Sequence, residues 1–212
     1  MTTTTEATRS LRLAGLVLAG GRSTRMGQEK CSLKVGSEAM LQRVGRIVQT
    51  VVGEWAVAAR PGQVLPALPE DVGVLRDSVV DRGPLQGVWE GLRHFTGRAE
   101  ALLVVPGDAG LLDAGLLRKL VDQFERGDCD IVAPEFGGEV LPLPGVYALN
   151  LMPTVARLLD PPRGLKDVMK AARVKSVPLD KVEAGAFSVN TPEEYKELLS
   201  RLNERAEGGS AT

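Results

Sequence analysis

The apolar run Leu13-Ala14-Gly15-Leu16-Val17-Leu18 leads into Ala19-Gly20-Gly21, and this junction constrains the fold more than any other feature of the chain. A run without apolar–polar alternation suits a strand buried on both faces, as in parallel sheets covered by helices. The glycine pair predicts a turn at its carboxyl end. Downstream, Met40, Leu41, Val44, Ile47, Val48 and Val51 recur at helical spacing between Glu38 and Val52, and Trp55–Ala59 then reads as a second strand. Val72–Leu75 is a short apolar run before Asp77, Gly83-Pro84 opens a helix through Arg93, and Ala101–Val105 is a strand ending at Pro106-Gly107-Asp108. Leu112–Arg126 is helical and Ile131–Ala133 strand-like. Alternating strands and helices with right-handed crossovers predict an α/β fold, a three-layer sandwich around a mostly parallel sheet.

Past Pro134 the pattern changes. Gly137-Gly138 suits a hairpin, and Val140–Leu149, broken by Pro142 and Pro144, suits an antiparallel edge strand. Thr154–Leu159 and Lys166–Ala172 read as helices around Pro161-Pro162-Arg163-Gly164, Val174–Leu179 as a strand, and Pro192 as the start of a last helix behind Thr191.

With 212 residues, 43% of them apolar, one core and one domain are expected, over residues 13–204, with residues 1–12 disordered and 205–212 frayed. A net charge of −1 without a run of like charges supplies no footprint for nucleic acid. No stretch approaches the roughly 20 apolar residues that span a bilayer, and the Thr-rich segment before Leu11 has no apolar core, so no membrane partner and a cytoplasmic location are expected. Cys31 and Cys129 lack CxxC spacing and His94 is the only histidine, which leaves too few parts for a zinc framework or a histidine-based triad.

The chemistry centres on Leu18-Ala19-Gly20-Gly21-Arg22-Ser23-Thr24-Arg25-Met26-Gly27 and the following Lys30. Paired glycines let backbone N–H groups approach a polyphosphate without Cβ obstruction. Arg25 can grip phosphate oxygens bidentately, while Lys30 is a point charge suited to charge growing on the α-phosphate. The string lacks both the GxxxxGK[ST] and the GxGxxG pattern. Asp108 follows the end of a buried strand, in the crevice where open α/β sheets bind ligands, and is placed to hold a hard cation beside a triphosphate. Pro-Gly-Asp is also ordinary turn or N-cap chemistry, and Asp77-Ser78 could close a loop, so both aspartates have a structural alternative.

The string LAGGxSxRMG with its lysine resembles the signature of the MobA-like nucleotidyltransferases, the molybdenum cofactor guanylyltransferase family, whose core is Rossmann-like. The resemblance runs from about residue 13 to 200, in order through Asp77, Gly83-Pro84-Leu85 with Gly87, Asp108 and Asn190-Thr191-Pro192-Glu193-Glu194. It implies that Leu18, Ala19, Gly20, Gly21 and Lys30 hold the nucleotide, that Asp77 also binds it, and that Asp108 ligates Mg2+ and contacts the nucleotide. It further implies transfer of GMP from GTP to molybdopterin with release of pyrophosphate, with Lys30, Arg25 and Asp108 as the catalytic groups. Other molybdenum cofactor proteins are possible partners.

The chain departs from the family pattern in places. The metal aspartate commonly sits in Cys-Asp-x-Pro, whereas here Pro106-Gly107-Asp108-Ala109-Gly110 stands; Asn-x-Asn near the last motif is reduced to Ser188 and Asn190; and the asparagine some members carry after the second strand is absent from Val57-Ala58-Ala59-Arg60. Arg163, Lys166 and Asn190 are the candidates for binding the acceptor. The glycine loop does not choose the base, so transfer of CMP to molybdopterin, or of a nucleotide to a sugar phosphate, stays open, as does a non-catalytic partner that delivers the cofactor. Trp55 and Trp89 read as packing residues rather than base-stacking platforms.

Overall fold

The structure, a computed structural model, describes residues 11–20, 29–79, 82–180, 189 and 191–208. In chain order the strands are β1 (Leu13–Leu18), β2 (Lys34–Val35), β3 (Glu38–Ala39), β4 (Glu54–Ala59), β5 (Gly73–Arg76), β6 (Ala101–Pro106), β7 (Ile131–Phe136), β8 (Glu139–Val140), β9 (Gly145–Ala148) and β10 (Val174–Pro178). The helices are α1 (Met40–Gln49), α2 (Pro84–Phe95), α3 (Ala114–Glu125), α4 (Met152–Leu158), α5 (Leu165–Lys170) and α6 (Pro192–Gly208).

The main sheet has the order β10-β7-β9-β6-β1-β4-β5, with β8 paired to β7. Strands β6, β1, β4 and β5 are parallel neighbours, and β9 runs antiparallel to both β6 and β7. Successive side chains of β1 enter opposite layers, as a two-residue period requires. Val17 packs with Leu41, Val44 and Val48 of α1 and Leu117 of α3, whereas Leu16 and Leu18 pack with Leu85, Val88 and Leu92 of α2. Helices α4 and α5 add Val155 and Val168 to the second layer. This is the three-layer α/β sandwich expected from the unbroken apolar strands.

Two expected elements change shape. The helix expected from Glu38 begins at Met40, because Glu38–Ala39 is extended and pairs with Lys34–Val35 in a small ribbon. There Gln42 Oε1 accepts the Ala39 N–H at 2.7 Å and closes the first turn. The run 140–149, expected as an edge strand, is paired as β9 only over Gly145–Ala148, and β9 lies inside the sheet. Pro142 and Pro144 precede the ladder, so neither removes one of its N–H donors, and all four β9 residues are buried. The antiparallel margin is instead the β7–β8 hairpin, turned at Gly137 (φ 61°) and Gly138 (φ 80°), a backbone that favours glycine at both positions.

Helix α6 starts behind a capping box, in which Glu194 N–H reaches Thr191 Oγ1 and Thr191 N–H reaches Glu194 Oε2, both at 3.2 Å. It continues to Gly208, past the domain end expected at 204. Leu198 of α6 packs with Leu33, Val35, Met40 and Leu111, and so ties the β2–β3 ribbon to the loop after β6. Among the described residues no helix is long and apolar enough to cross a membrane.

Candidate active site

β1, β4 and β6 end in register, Leu18 lying opposite both Ala58 and Pro106. The hydrogen-bond pattern continues past these ends. Ala19 N–H donates to Ala58 O at 2.8 Å, Gly107 N–H to Leu18 O at 2.9 Å, and Asp77 N–H to Ala59 O at 3.0 Å. The sheet therefore delivers Asp77, after β5, to one side of Ala19-Gly20 and Asp108, after β6, to the other. The approach at Gly107 is close, since a Cβ there would lie 3.0 Å from Leu18 O and 3.4 Å from Ala19 Cα. A side chain at 107 would push the Asp108 loop off the end of β1.

On the Asp108 side, a single 3-10 turn over Lys30–Ser32 presents Lys30, whose Nζ donates to Asp108 Oδ2 at 3.2 Å. The two side chains are 18% and 21% exposed, so the pair is sheltered yet open at one side. Burial pushes the Asp108 carboxyl above the usual carboxylate range; the Lys30 ammonium opposes this, and Glu194 of α6 adds a smaller upward push. The N-cap alternative for Asp108 does not hold, because the cap of α3 is Asp113, whose Oδ1 accepts Leu116 N–H at 3.0 Å. Cys31 is no nucleophile: burial pushes its thiol up to about 12, and it donates to Ala19 O at 3.2 Å.

On the other side, Asp77 Oδ1 is buried and has no hydrogen-bond partner. Burial, then the charge of Glu90, raise its carboxyl to about 6 against the pull of Arg60. Its side chain closes no turn, so the loop-closing alternative gives no account of it. Gly20 and Gly87 flank it: Cβ atoms built there would lie 3.8 Å from Asp77 Oδ2 and 4.0 Å from Oδ1. Next to it, Gln86 Nε2 donates to Glu90 Oε1 at 2.7 Å and to Ser78 Oγ at 3.0 Å, leaving Gln86 Oε1 buried without a partner. Buried acceptors without donors are costly, and they suit a ligand that brings N–H or O–H groups.

Lys30 and Asp108 are thus brought together, and Leu18, Ala19, Gly20 and Asp77 line the same sheet edge. Gly21, Arg25 and Asn190 lie outside the described residues. Lys166 stands apart, on the far side of β9, where it pairs with Glu139 of the β7–β8 hairpin. Arg163 donates its backbone N–H to Leu158 O at 2.9 Å, after α4. The hairpin follows a strand parallel to β6, so Lys166 occupies the same edge of the sheet without joining the Lys30–Asp108 pair. Sequence reasoning missed Glu29, Gln63, Gln86 and Glu90, and noted Arg60 only as a departure from the family. Their one legible signal is position, in the segments after β1 and β4 or within α2, and position does not reveal which side chains turn inward.

The arrangement offers a cation beside a carboxylate near the Ala19-Gly20 end of β1, with unsatisfied acceptors on its other side, which suits a phosphorylated ligand bearing N–H donors. The family model for the MobA-like NTP transferase domain matches residues 15–177. A probable molybdenum cofactor guanylyltransferase of Pelotomaculum thermopropionicum is 33% identical over 190 residues, covering 86% of this chain and 89% of its own. Among solved structures, molybdopterin-guanine dinucleotide biosynthesis protein A of Archaeoglobus fulgidus superposes with a TM-score of 0.73 at 19% identity, covering 90% of this chain and 99% of its own. A Mycobacterium tuberculosis protein solved in complex with manganese gives a TM-score of 0.66 at 21% identity, covering 89% and 98%. With a family match that spans the sheet from β1 to β10, the chain belongs to the MobA-like NTP transferases.

Proposed function

We propose that the protein transfers GMP from GTP to molybdopterin, forming molybdenum guanine dinucleotide and releasing pyrophosphate. The observation that carries this reading is the sheltered Lys30–Asp108 pair at the end of β1, in a chain a third identical to a probable guanylyltransferase. A terminal phosphate of the acceptor attacks the α-phosphorus in line, and pyrophosphate leaves with the bonding electron pair. No covalent intermediate on the protein is needed. Lys30 offsets negative charge as it grows on the α-phosphate, and the amides of the glycine turn position the polyphosphate. Asp77 accepts N–H or O–H donors of the nucleoside, which satisfies its orphaned Oδ1.

Asp108 fits a divalent cation, because its hard carboxylate oxygens are partly exposed and burial leaves the carboxylate short of compensating positive charge. Among the described residues no group of three or more His, Cys, Asp or Glu is gathered for an all-protein metal cage. Magnesium suits such a site, since it commonly takes one or two carboxylates plus phosphate oxygens. Bound by Asp108, it would supply Lewis acidity and charge neutralisation at the phosphates. Arg25, Arg163, Lys166 and Asn190 remain the candidates for phosphate and acceptor contacts, and a cytoplasmic location and contact with other molybdenum cofactor proteins belong to the same reading.

The test is incubation of the purified protein with molybdopterin, magnesium and each of the four ribonucleoside triphosphates, followed by mass identification of the product. A guanine dinucleotide formed only with GTP supports the reading. A cytosine dinucleotide would transfer it to CTP, and GTP binding without turnover would favour a non-catalytic carrier.

A further inference from the structure

Gln63 is one of two buried polar side chains among the described residues, only 5% exposed, and its amide is fully used. Oε1 accepts the Arg60 N–H at 3.1 Å, while Nε2 donates to Ala19 O and to Glu29 Oε2, both at 3.0 Å. An amide nitrogen has two N–H donors, so each serves one partner. Those partners stand on either side of the glycine-rich segment. Ala19 precedes it at the end of β1, and Glu29 follows it, immediately before Lys30. Glu29 is held further by an ion pair with Arg60. The strut itself is braced from β5, where Arg76 Nη1 donates to Arg60 O at 3.0 Å and to Gln63 O at 2.9 Å.

Two consequences follow for the site. Ala19 O accepts from both Gln63 Nε2 and Cys31 Sγ, so the direction of that carbonyl is fixed. The Ala19–Gly20 bond is trans, and in a trans peptide the N–H points opposite to the C=O, so the Gly20 N–H is held facing away from Gln63. Glu29, in turn, sets where the 3-10 turn begins that carries Lys30 to Asp108.

We propose that Gln63 is a positioning residue of the nucleotide site, whose amide spans the two ends of the glycine-rich segment and thereby orients the Gly20 amide and the approach of Lys30 to Asp108. The inference rests on the nucleotide-transfer reading. It needs nucleotide binding and turnover, whichever base is used.

The test uses the full chain with its preferred triphosphate, measuring nucleotide affinity, kcat and KM. Gln63→Leu keeps the bulk and removes all three hydrogen bonds; it is expected to lower kcat/KM about a hundredfold, the scale of a displacement of about 1 Å at a reacting centre. In a Lys30→Ala background the same substitution should cost only about tenfold, because one of the two groups it positions is gone while the Gly20 amide remains. A merely structural role would instead multiply with Lys30→Ala and show as an equal loss of Tm in both backgrounds. Gln63→Glu sets a carboxylate against both Glu29 and the Ala19 carbonyl and should lose at least as much as Gln63→Leu, whereas Glu29→Gln keeps an acceptor oxygen for Gln63 Nε2 and should lose less. Gln63→Leu within twofold of wild type, or Gln63→Glu no worse than Glu29→Gln, overturns the inference. If the wild-type protein binds no nucleoside triphosphate, the site reading itself fails and the inference falls with it, an outcome distinct from an insensitive Gln63→Leu variant.

Discussion

The Nζ of Lys30 lies 3.2 Å from Oδ2 of Asp108, a contact between residues 78 apart in sequence. The turn after Glu29 and the loop after β6 meet there, under α6. On the proposed mechanism, Lys30 serves the charge that develops in the transition state more than the charge of the ground state. Lys30→Ala should therefore lower kcat by about 10²–10³-fold, the usual effect of removing one stabilising donor, with a smaller change in KM. Steady-state kinetics decide it, and a raised KM with unchanged kcat would assign Lys30 to ground-state binding alone.

Asp108→Asn keeps the size and turn-forming ability of the side chain and removes its charge. The substitution relieves a buried carboxylate but takes the Asp108 counter-charge from Lys30, so the two stability effects oppose each other. We expect Tm to stay within about 2–4 °C, equivalent to about 1 kcal/mol at this size, while turnover collapses and recovers only in part at high magnesium. Calorimetry and turnover across a magnesium series check this; near-normal turnover at limiting magnesium would remove Asp108 from the metal site.

Asp77 should make stability fall as pH rises. Its carboxyl is raised from 3.8 to about 6, so between those values the folded chain binds more protons than the unfolded one. The stability it contributes is present in full below the unfolded value and is lost as pH rises through about 6. Because the group is only half-buried, solvent screening limits the effect to about 1 kcal/mol, or about 2–4 °C in Tm. Asp77→Asn should flatten that slope and raise Tm at neutral pH, while nucleotide affinity drops about tenfold or more through loss of a charged acceptor. Thermal melts across the acid range and nucleotide titration test the two halves separately.

Gly87 lets α2 lie close to the ends of β1 and β4. A Cβ there would be 2.9 Å from Leu18 Cδ2 and 3.1 Å from Ala58 Cβ. Gly87→Ala gains about 1 kcal/mol of helix propensity and costs about 1–3 kcal/mol in overpacking. We expect a lower Tm together with a raised nucleotide KM, because displacing α2 moves Gln86 away from Asp77. A rise in Tm with unchanged KM would show that the helix shifts without disturbing the pocket.

The sequence alone determined the layers and marked one half of the candidate site. Unbroken apolar runs such as Leu13–Leu18 and Ala101–Val105 have to be covered on both faces, and helical spacing from Met40 to Val48 supplies a cover, so the α/β sandwich follows from local pattern. The glycine string marked Leu18, Ala19, Gly20 and Lys30 because phosphate-loop chemistry is carried by neighbouring residues. Only the tertiary structure decided the place of β9, whose prolines suggested an edge but stand outside the paired residues. It also decided the surroundings of Asp108, Asp77 and Gln63. Whether a carboxylate caps a helix, pairs with a lysine or stays unpartnered depends on groups 34 to 78 residues away, as at Gln63–Glu29 and Lys30–Asp108. Sequence pattern reports periodicity within one element, whereas these contacts arise where the ends of separate parallel strands converge.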